Sequence, residues 1–245
     1  MSLRFLSLFA GVGGFDLGLE RAGWQCAGQV EIDPFCNKVL AKHWPNVWRH
    51  SDINGLSGEL IRNQCGRLDA IVGGFPCQDV SIANPSGLGL SGARSGLWRE
   101  MLRVIKDVGP RWVIGENVTN LLNRGLETCI DGLEAEGYEV RAFDIPACAA
   151  GLPTMERHIW IVASTNSQRQ EGSIEQALSR FGAFTREFSG SYPRDFGRWA
   201  VPASRVFGVG ERIPNGMDRV SALGNAVPPQ IPEIIGRAIL EMEVA

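Results

Sequence analysis

The stretch Asp69-Ala-Ile-Val-Gly-Gly-Phe-Pro-Cys-Gln78 constrains this chain more than any other. Its short apolar run, ended by Gly73 and Gly74, has the pattern of a parallel strand covered on both faces. That places the chain in the α/β class. The loop beyond leaves the carboxyl end of the strand, where open α/β sheets hold their active sites. Pro76 fixes its own φ and restricts the residue before it, so the backbone is stiff where Cys77 presents its thiol. Cys77 then has two readings: a displayed nucleophile, or a small buried hydrophobe like most free cysteines.

The rest of the chain favours the first. Arg4–Phe9 alternates as a strand and runs into Ala10-Gly-Val-Gly-Gly14, and Phe15–Gly23 follows as an amphipathic helix ended by glycine. Strand, glycine loop and helix together bring backbone close to a nucleotide-like ligand, although the G-x-G-G spacing is not the dinucleotide fingerprint. Gln25–Glu31 reads as the second strand, ending in Glu31-Ile32-Asp33. An acid there, roughly 20 residues beyond the glycine loop, suits the hydroxyls of a ribose. A helix is expected over 33–44 and a short third strand ending in Ser51-Asp52-Ile53. Asp52 suits either an adenine amino group or the capping of the next helix.

Beyond Cys77, residues 81–94 are rich in Gly, Ser, Ala and Asn without apolar periodicity, as in a mobile active-site loop or a long surface loop. A helix is expected from Gly96 to Ile105 and a strand from Arg111, ending in Glu116-Asn117-Val118. If that strand neighbours the one before Cys77, a carboxylate and a thiol face one pocket. Helix 121–137 and strands 139–145 and 159–163 follow. From about 164 to 215 the pattern breaks into Gly, Ser, Pro, Arg and aromatics, and an apolar helix over 231–242 returns to the core. The segments are 1–164 for catalysis and cofactor, 165–215 for a small irregular lobe, and 216–245 for the return.

Composition excludes several classes. No apolar run approaches the roughly 18 residues that span a bilayer, and Met1–Ala10 reads as a strand, not a signal peptide. Six cysteines at 26, 36, 65, 77, 129 and 148 form no C-x-x-C pair, and three histidines are scattered, so neither a metal site nor a disulfide framework is expected. Free thiols suit a reducing cytosol. Net charge is −3, but residues 165–219 carry eight arginines against six acids, a local +2 against −5 elsewhere. Arginine takes phosphate bidentately.

In order, FAGVGG (9–14), Glu31, Asp52, GGFPCQ (73–78), GENV (115–118), GLP with Arg157 and IWIV (151–162), and GNAVPPQ (224–230) resemble the DNA (cytosine-5)-methyltransferases. The resemblance covers nearly all of the chain outside 165–215. It implies a doubly wound, mostly parallel, Rossmann-like methyltransferase sheet with a small irregular target-recognition lobe. It also implies S-adenosylmethionine as cofactor, leaving as S-adenosylhomocysteine, and no metal. The catalytic cysteine falls on Cys77 and the acid on Glu116. Cofactor contacts fall on Phe9, Gly11, Gly13, Gly14, Glu31, Ile32, Asp52, Ile53, Leu97, Asn225 and Val227. DNA contacts fall on Gln78, Ser81 and Arg94, with Arg194, Arg198 and Arg205 in the lobe.

One departure stands out. Where the family commonly places arginines on alternate positions, this chain has Glu156 and His158, with Arg157 between them. Either Arg157 and His158 supply the positive charge beside the flipped base by a shift in position, or base activation is weaker. The implied partner is double-stranded DNA, bound by a monomer in the cytoplasm of a bacterial cell or phage-infected host as part of restriction-modification. Cytosine-5 methylation of tRNA and a catalytically weakened DNA-binding homologue are the alternatives.

Overall fold

The apolar runs pair into one mixed sheet. In the computed structural model, residues 2–76, 96–150, 156–165, 186–187 and 226–244 are described. Their strands are β1 (Arg4–Leu8), β2 (Gln25–Val30), β3 (Trp48–His50), β4 (Ala70–Gly74), β5 (Trp112–Val118), β6 (Glu139–Pro146), β7 (Arg157–Ser164) and β8 (Arg186–Glu187). Their order across the sheet is β3-β2-β1-β4-β5-β7-β6-β8. The run from β3 to β5 is parallel. β7 lies antiparallel between β5 and β6, and β8 pairs antiparallel with β6. Chain order reverses across β1 and β4, which makes the carboxyl edge there a topological switch point.

Helices α1 (Gly14–Arg21), α2 (Pro34–His43), α3 (Gly58–Cys65), α4 (Leu97–Val108), α5 (Leu121–Arg124), α6 (Leu126–Ala135) and α7 (Gln230–Val244) complete the described elements. Strand alternation sends side chains to two cores. Leu6, Leu8, Ile71, Val113 and Ile161 pack with α3, α4 and α6 on one face. Phe5, Val72, Ile114, Trp160 and Val162 pack with α1 and α7 on the other. The sheet is thus covered on both faces.

Local chemistry sets the helix ends. Asp33 accepts from the Cys36 amide ahead of Pro34, and Ser57 accepts from the Leu60 amide. Gly109 closes α4 in the left-handed region at φ 64°.

Three expected boundaries differ. β3 stops at His50, because Asp52 instead caps a 3-10 turn over Ile53–Gly55. The helix expected over 121–137 is broken at Gly125, giving α5 and α6. β7 also begins earlier than expected, at Arg157, because its pairing with β6 extends to Pro146. Within 165–215, only residues 165 and 186–187 are described.

The C-terminal segment lies flush on α1. A Cβ on Gly14 would stand 2.1 Å from the Val227 carbonyl oxygen, and one on Gly18 would stand 2.2 Å from that of Pro229. The Trp24 indole N–H also donates to the Gly236 carbonyl at 3.0 Å. Gly14→Ala is therefore expected to push residues 226–229 away and cost about 1–3 kcal/mol. Chemical denaturation checks this; an unchanged midpoint would contradict the close approach.

Candidate active site at the carboxyl edge of the sheet

Four adjacent parallel strands deliver polar or exposed groups to one edge. At the end of β1 the chain turns at Phe9, which holds φ 52°, the one positive φ among described non-glycine residues. Such a backbone costs energy in a residue with a Cβ and clusters at ligand sites. Gly11 and Gly13 continue the turn at φ 55° and 92°. A Cβ on Gly13 would meet the Trp44 ring at 2.5 Å, whereas one on Gly11 would meet nothing within 4 Å. The loop is packed beneath and open above.

Glu31, after β2, ties that loop down. Its carboxylate accepts from the Gly11 amide and the Asp33 amide, each at 2.7 Å. A carboxylate has about four lone-pair sites, so acceptor capacity remains for a diol. Ile32 beside it is 71% exposed, and its apolar side chain suits the flat face of a purine. Asp52 accepts from the amide and side chain of Asn54 at 2.9 and 2.8 Å, so it does perform the capping role. Ile53 does not reach the edge with its side chain, which is buried in the core. Leu97 and Phe9 are partly buried against that same core. An open glycine turn, a carboxylate and an exposed apolar side chain fit an adenosine-like cofactor.

The glycine loop rests on a polar cluster that sequence reasoning missed. Asp16, fully buried on α1, accepts from Ser7 Oγ at 3.0 Å, Gln29 Nε2 at 2.9 Å and Cys26 Sγ at 3.2 Å. Burial raises the Asp16 pKa, and these hydrogen bonds oppose the shift. Arg49 extends the cluster, reaching Gln29 Oε1 at 3.4 Å and the Trp44 carbonyl at 2.6 Å. The available signal was a carboxylate next to Phe15 on the apolar flank of a short helix.

The second half of the site stands on β4 and β5. Gly74 and Glu116 are register partners, and a Cβ on Gly74 would lie 2.7 Å from Glu116 Oε2. Glycine is required there because the carboxylate lies across the strand. Val227 flanks it, 3.4 Å from the same point. Asn117 points to the opposite face and donates to the Phe75 carbonyl at 3.0 Å. The Phe75 ring packs on Trp98 at 4.9 Å. These contacts fix the backbone two residues before Cys77.

Cys77, Gln78, Ser81, Arg94, Asn225, Arg194, Arg198 and Arg205 all lie outside the described residues.

Arg157 is not brought to Glu116. It grips Asp144 with two nitrogens, Nε at 2.9 and 3.0 Å and Nη2 at 2.7 Å. Alternation along β7 sends it to the sheet face opposite Glu116, so of the two residues expected to supply charge there, Arg157 is not the one that does. His158 takes that place: Nδ1 bonds Glu116 Oε1, and Nε2 lies 3.6 Å from Glu156 Oε1. Burial alone would pull the His158 pKa down. The hydrogen bonds and charges of Glu116 and Glu156 together outweigh it and raise it to about 10. The polar contact with His158 in turn lowers the Glu156 pKa.

Among the described residues, no group of three or more His, Cys, Asp or Glu gathers to hold a metal ion. No described helix is long and apolar enough to cross a membrane.

A doubly wound sheet with a glycine turn, an acid after its second strand and a buried carboxylate within its fifth defines a Rossmann-like α/β protein with a cofactor-type crevice at its switch point. The family of C-5 cytosine-specific DNA methylases matches residues 3–189, and the chain belongs to it. The Type II methyltransferase M.HgiCII of Herpetosiphon aurantiacus is 37% identical over 141 residues, covering 56% of this chain and 31% of that protein. M2.BsuMI of Bacillus subtilis is 32% identical over 170 residues, covering 66% and 42%. The crystal structure of a putative DNA modification methyltransferase encoded in an E. coli prophage superposes with a TM-score of 0.59 at 25% identity, covering 69% of this chain and 48% of that one. S. pombe Dnmt2 methyltransferase shares the fold, with a TM-score of 0.60 at 20% identity over 74% and 54%. The chain thus spans about a third to a half of the length of these relatives.

Proposed function

We propose that this chain transfers a methyl group to carbon 5 of a cytosine flipped out of duplex DNA, through a covalent adduct with Cys77. The observation that carries the reading is the coupling of β4 and β5. Asn117 holds the Phe75 carbonyl, so the backbone leading to Cys77 and the Glu116 carboxylate emerge from one rigid strand pair.

S-adenosylmethionine supplies an electrophilic methyl group on a sulfonium. It would be held by Phe9, Gly11, Gly13 and Gly14, by Glu31 at the ribose, by Ile32 and Leu97 at the adenine faces, by Asp52 at the adenine edge, and by Asn225 and Val227. Carbon 5 of cytosine is a poor nucleophile. The Cys77 thiolate adds to carbon 6, and the electrons of the 5,6 double bond make carbon 5 enamine-like. Glu116 supplies the proton that ring nitrogen 3 takes up as negative charge builds. After methylation a base removes the carbon-5 proton, the double bond re-forms and Cys77 leaves. The ring is unreachable inside a duplex, so the base must be extruded. Residues 81–94 are the closing loop in this reading, with Gln78, Ser81 and Arg94 on the DNA. Residues 165–215 are the recognition lobe, with Arg194, Arg198 and Arg205 on the phosphates. The setting is a monomeric modification enzyme in a bacterial or phage-infected cytoplasm.

The test is transfer of labelled methyl from S-adenosylmethionine to mixed-sequence duplex DNA, with tRNA in parallel. Label in DNA at cytosine carbon 5 is the expected result. Label confined to tRNA would replace the substrate, and cofactor binding without transfer to either would leave a binding homologue.

A further inference from the structure

We propose that His158 and Glu156 form a proton relay between solvent and the buried acid Glu116. The inference rests on the reading of Glu116 as the group that meets cytosine nitrogen 3.

The three groups make a graded path. The Glu116 side chain is 9% exposed, His158 17% and Glu156 63%. Imidazole nitrogens face a carboxylate on either side, Nδ1 toward Glu116 and Nε2 toward Glu156. The remaining neighbours of His158 in the sheet are Val118 across β5 and Ile145 across β6, both apolar. Charge therefore acts on this imidazole from Glu116 and Glu156. The Glu116 oxygen facing His158 is Oε1, and Oε2 lies over Gly74, so one carboxylate has an oxygen for each direction.

The proton balance closes. The neutral imidazole, carrying its proton on Nδ1, takes a second at Nε2 from water by way of the exposed Glu156 carboxylate. When Glu116 has lost its proton, the Nδ1–H bond of that imidazolium breaks and an O–H bond forms on Glu116, leaving the Nε2–H tautomer. Glu116 is recharged and one solvent proton is consumed. When elimination returns the ring proton, the same steps run backward. A guanidinium in this place would supply charge but no proton, because it does not deprotonate in proteins. The imidazole makes the path titratable.

Two measurements separate this from a purely electrostatic role. In the first, His158→Ala is assayed for methyl transfer with added imidazole and, separately, added guanidinium. A loss of roughly 10- to 100-fold in kcat with unchanged cofactor affinity is expected, restored by imidazole and not by guanidinium. Equal rescue by guanidinium would overturn the relay and leave His158 as a charge only. In the second, which needs no activity and no altered core, the His158 imidazole is titrated by NMR in the wild type and in Glu156→Gln. The chain has three histidines, so assignment is simple. His158 should titrate far above an ordinary histidine in the wild type and distinctly lower in Glu156→Gln; identical titrations would break the Glu156 link. A wild type inactive on DNA that keeps this titration would overturn the cytosine reading rather than the relay.

Discussion

Methyl incorporation into duplex DNA is expected to fall by roughly 10⁴-fold or more when Cys77 is replaced by serine, while cofactor affinity stays unchanged. A serine hydroxyl does not ionise near neutral pH, and the attacking species in the proposed mechanism is a thiolate. Three of the described cysteines are poor substitutes. Burial pushes the Cys36 thiol up to about 12 and Cys65 up to about 11, and drives Cys26 higher still. The backbone that presents residue 77 is held by Asn117 on the Phe75 carbonyl and by Phe75 on Trp98, neither of which depends on the thiol. Filter-bound label gives the rate and calorimetry the cofactor affinity. A serine variant working at the parental rate would end the covalent mechanism.

Glu116→Gln is expected to lower kcat by roughly 10²- to 10⁴-fold with a smaller change in KM, because an amide keeps the shape of the carboxyl but gives up no acid proton. The same substitution has a stability signature. His158 has its pKa raised in the folded protein to about 10, against burial, by Glu116 and Glu156. A raised cationic group stabilises the fold fully below its unfolded pKa of about 6.5, and that contribution is lost as pH rises through about 10. Denaturation midpoints of the wild type should therefore fall between pH 7 and 10 more steeply than those of Glu116→Gln. Parallel pH profiles for the two proteins would show that Glu116 does not hold the imidazolium.

Much of the fold was legible because burial imposes periodicity on sequence. The apolar runs at 4–9, 69–72 and 111–115, each ended by glycine or an acid, read directly as parallel strands feeding loops at one edge. The alternation that sends Glu116 and Asn117 to opposite faces of the sheet is a property of the strand itself. Boundaries were less legible where a side chain chooses between two partners. Asp52 caps a turn in place of extending β3, and Gly125 breaks a helix whose apolar pattern continues past it. Asp16 was hidden because one carboxylate in an eight-residue helix looks like surface until Ser7, Cys26 and Gln29 converge on it.

Arg157 marks the limit most clearly. By sequence it was the cation nearest to a family arginine position. A strand reverses side-chain direction at every residue, however, so a shift of one position carries a residue through the sheet. Asp144, opposite Ile159 on β6, then captures the guanidinium with charge-assisted bonds.

The sequence by itself determined the α/β class, the succession of strands, loops and helices along the chain, and the residue types available for chemistry. Those follow from local patterning, glycine and proline backbone limits, and side-chain functional groups, all of which are properties of neighbours along the chain. Only the tertiary structure decided which distant groups meet: Glu116 with His158 across the β5–β7 pair, Asn117 with Phe75, and Gly14 with the Val227 carbonyl. Such meetings depend on register between strands far apart in sequence, and register is fixed by the packing of the two cores.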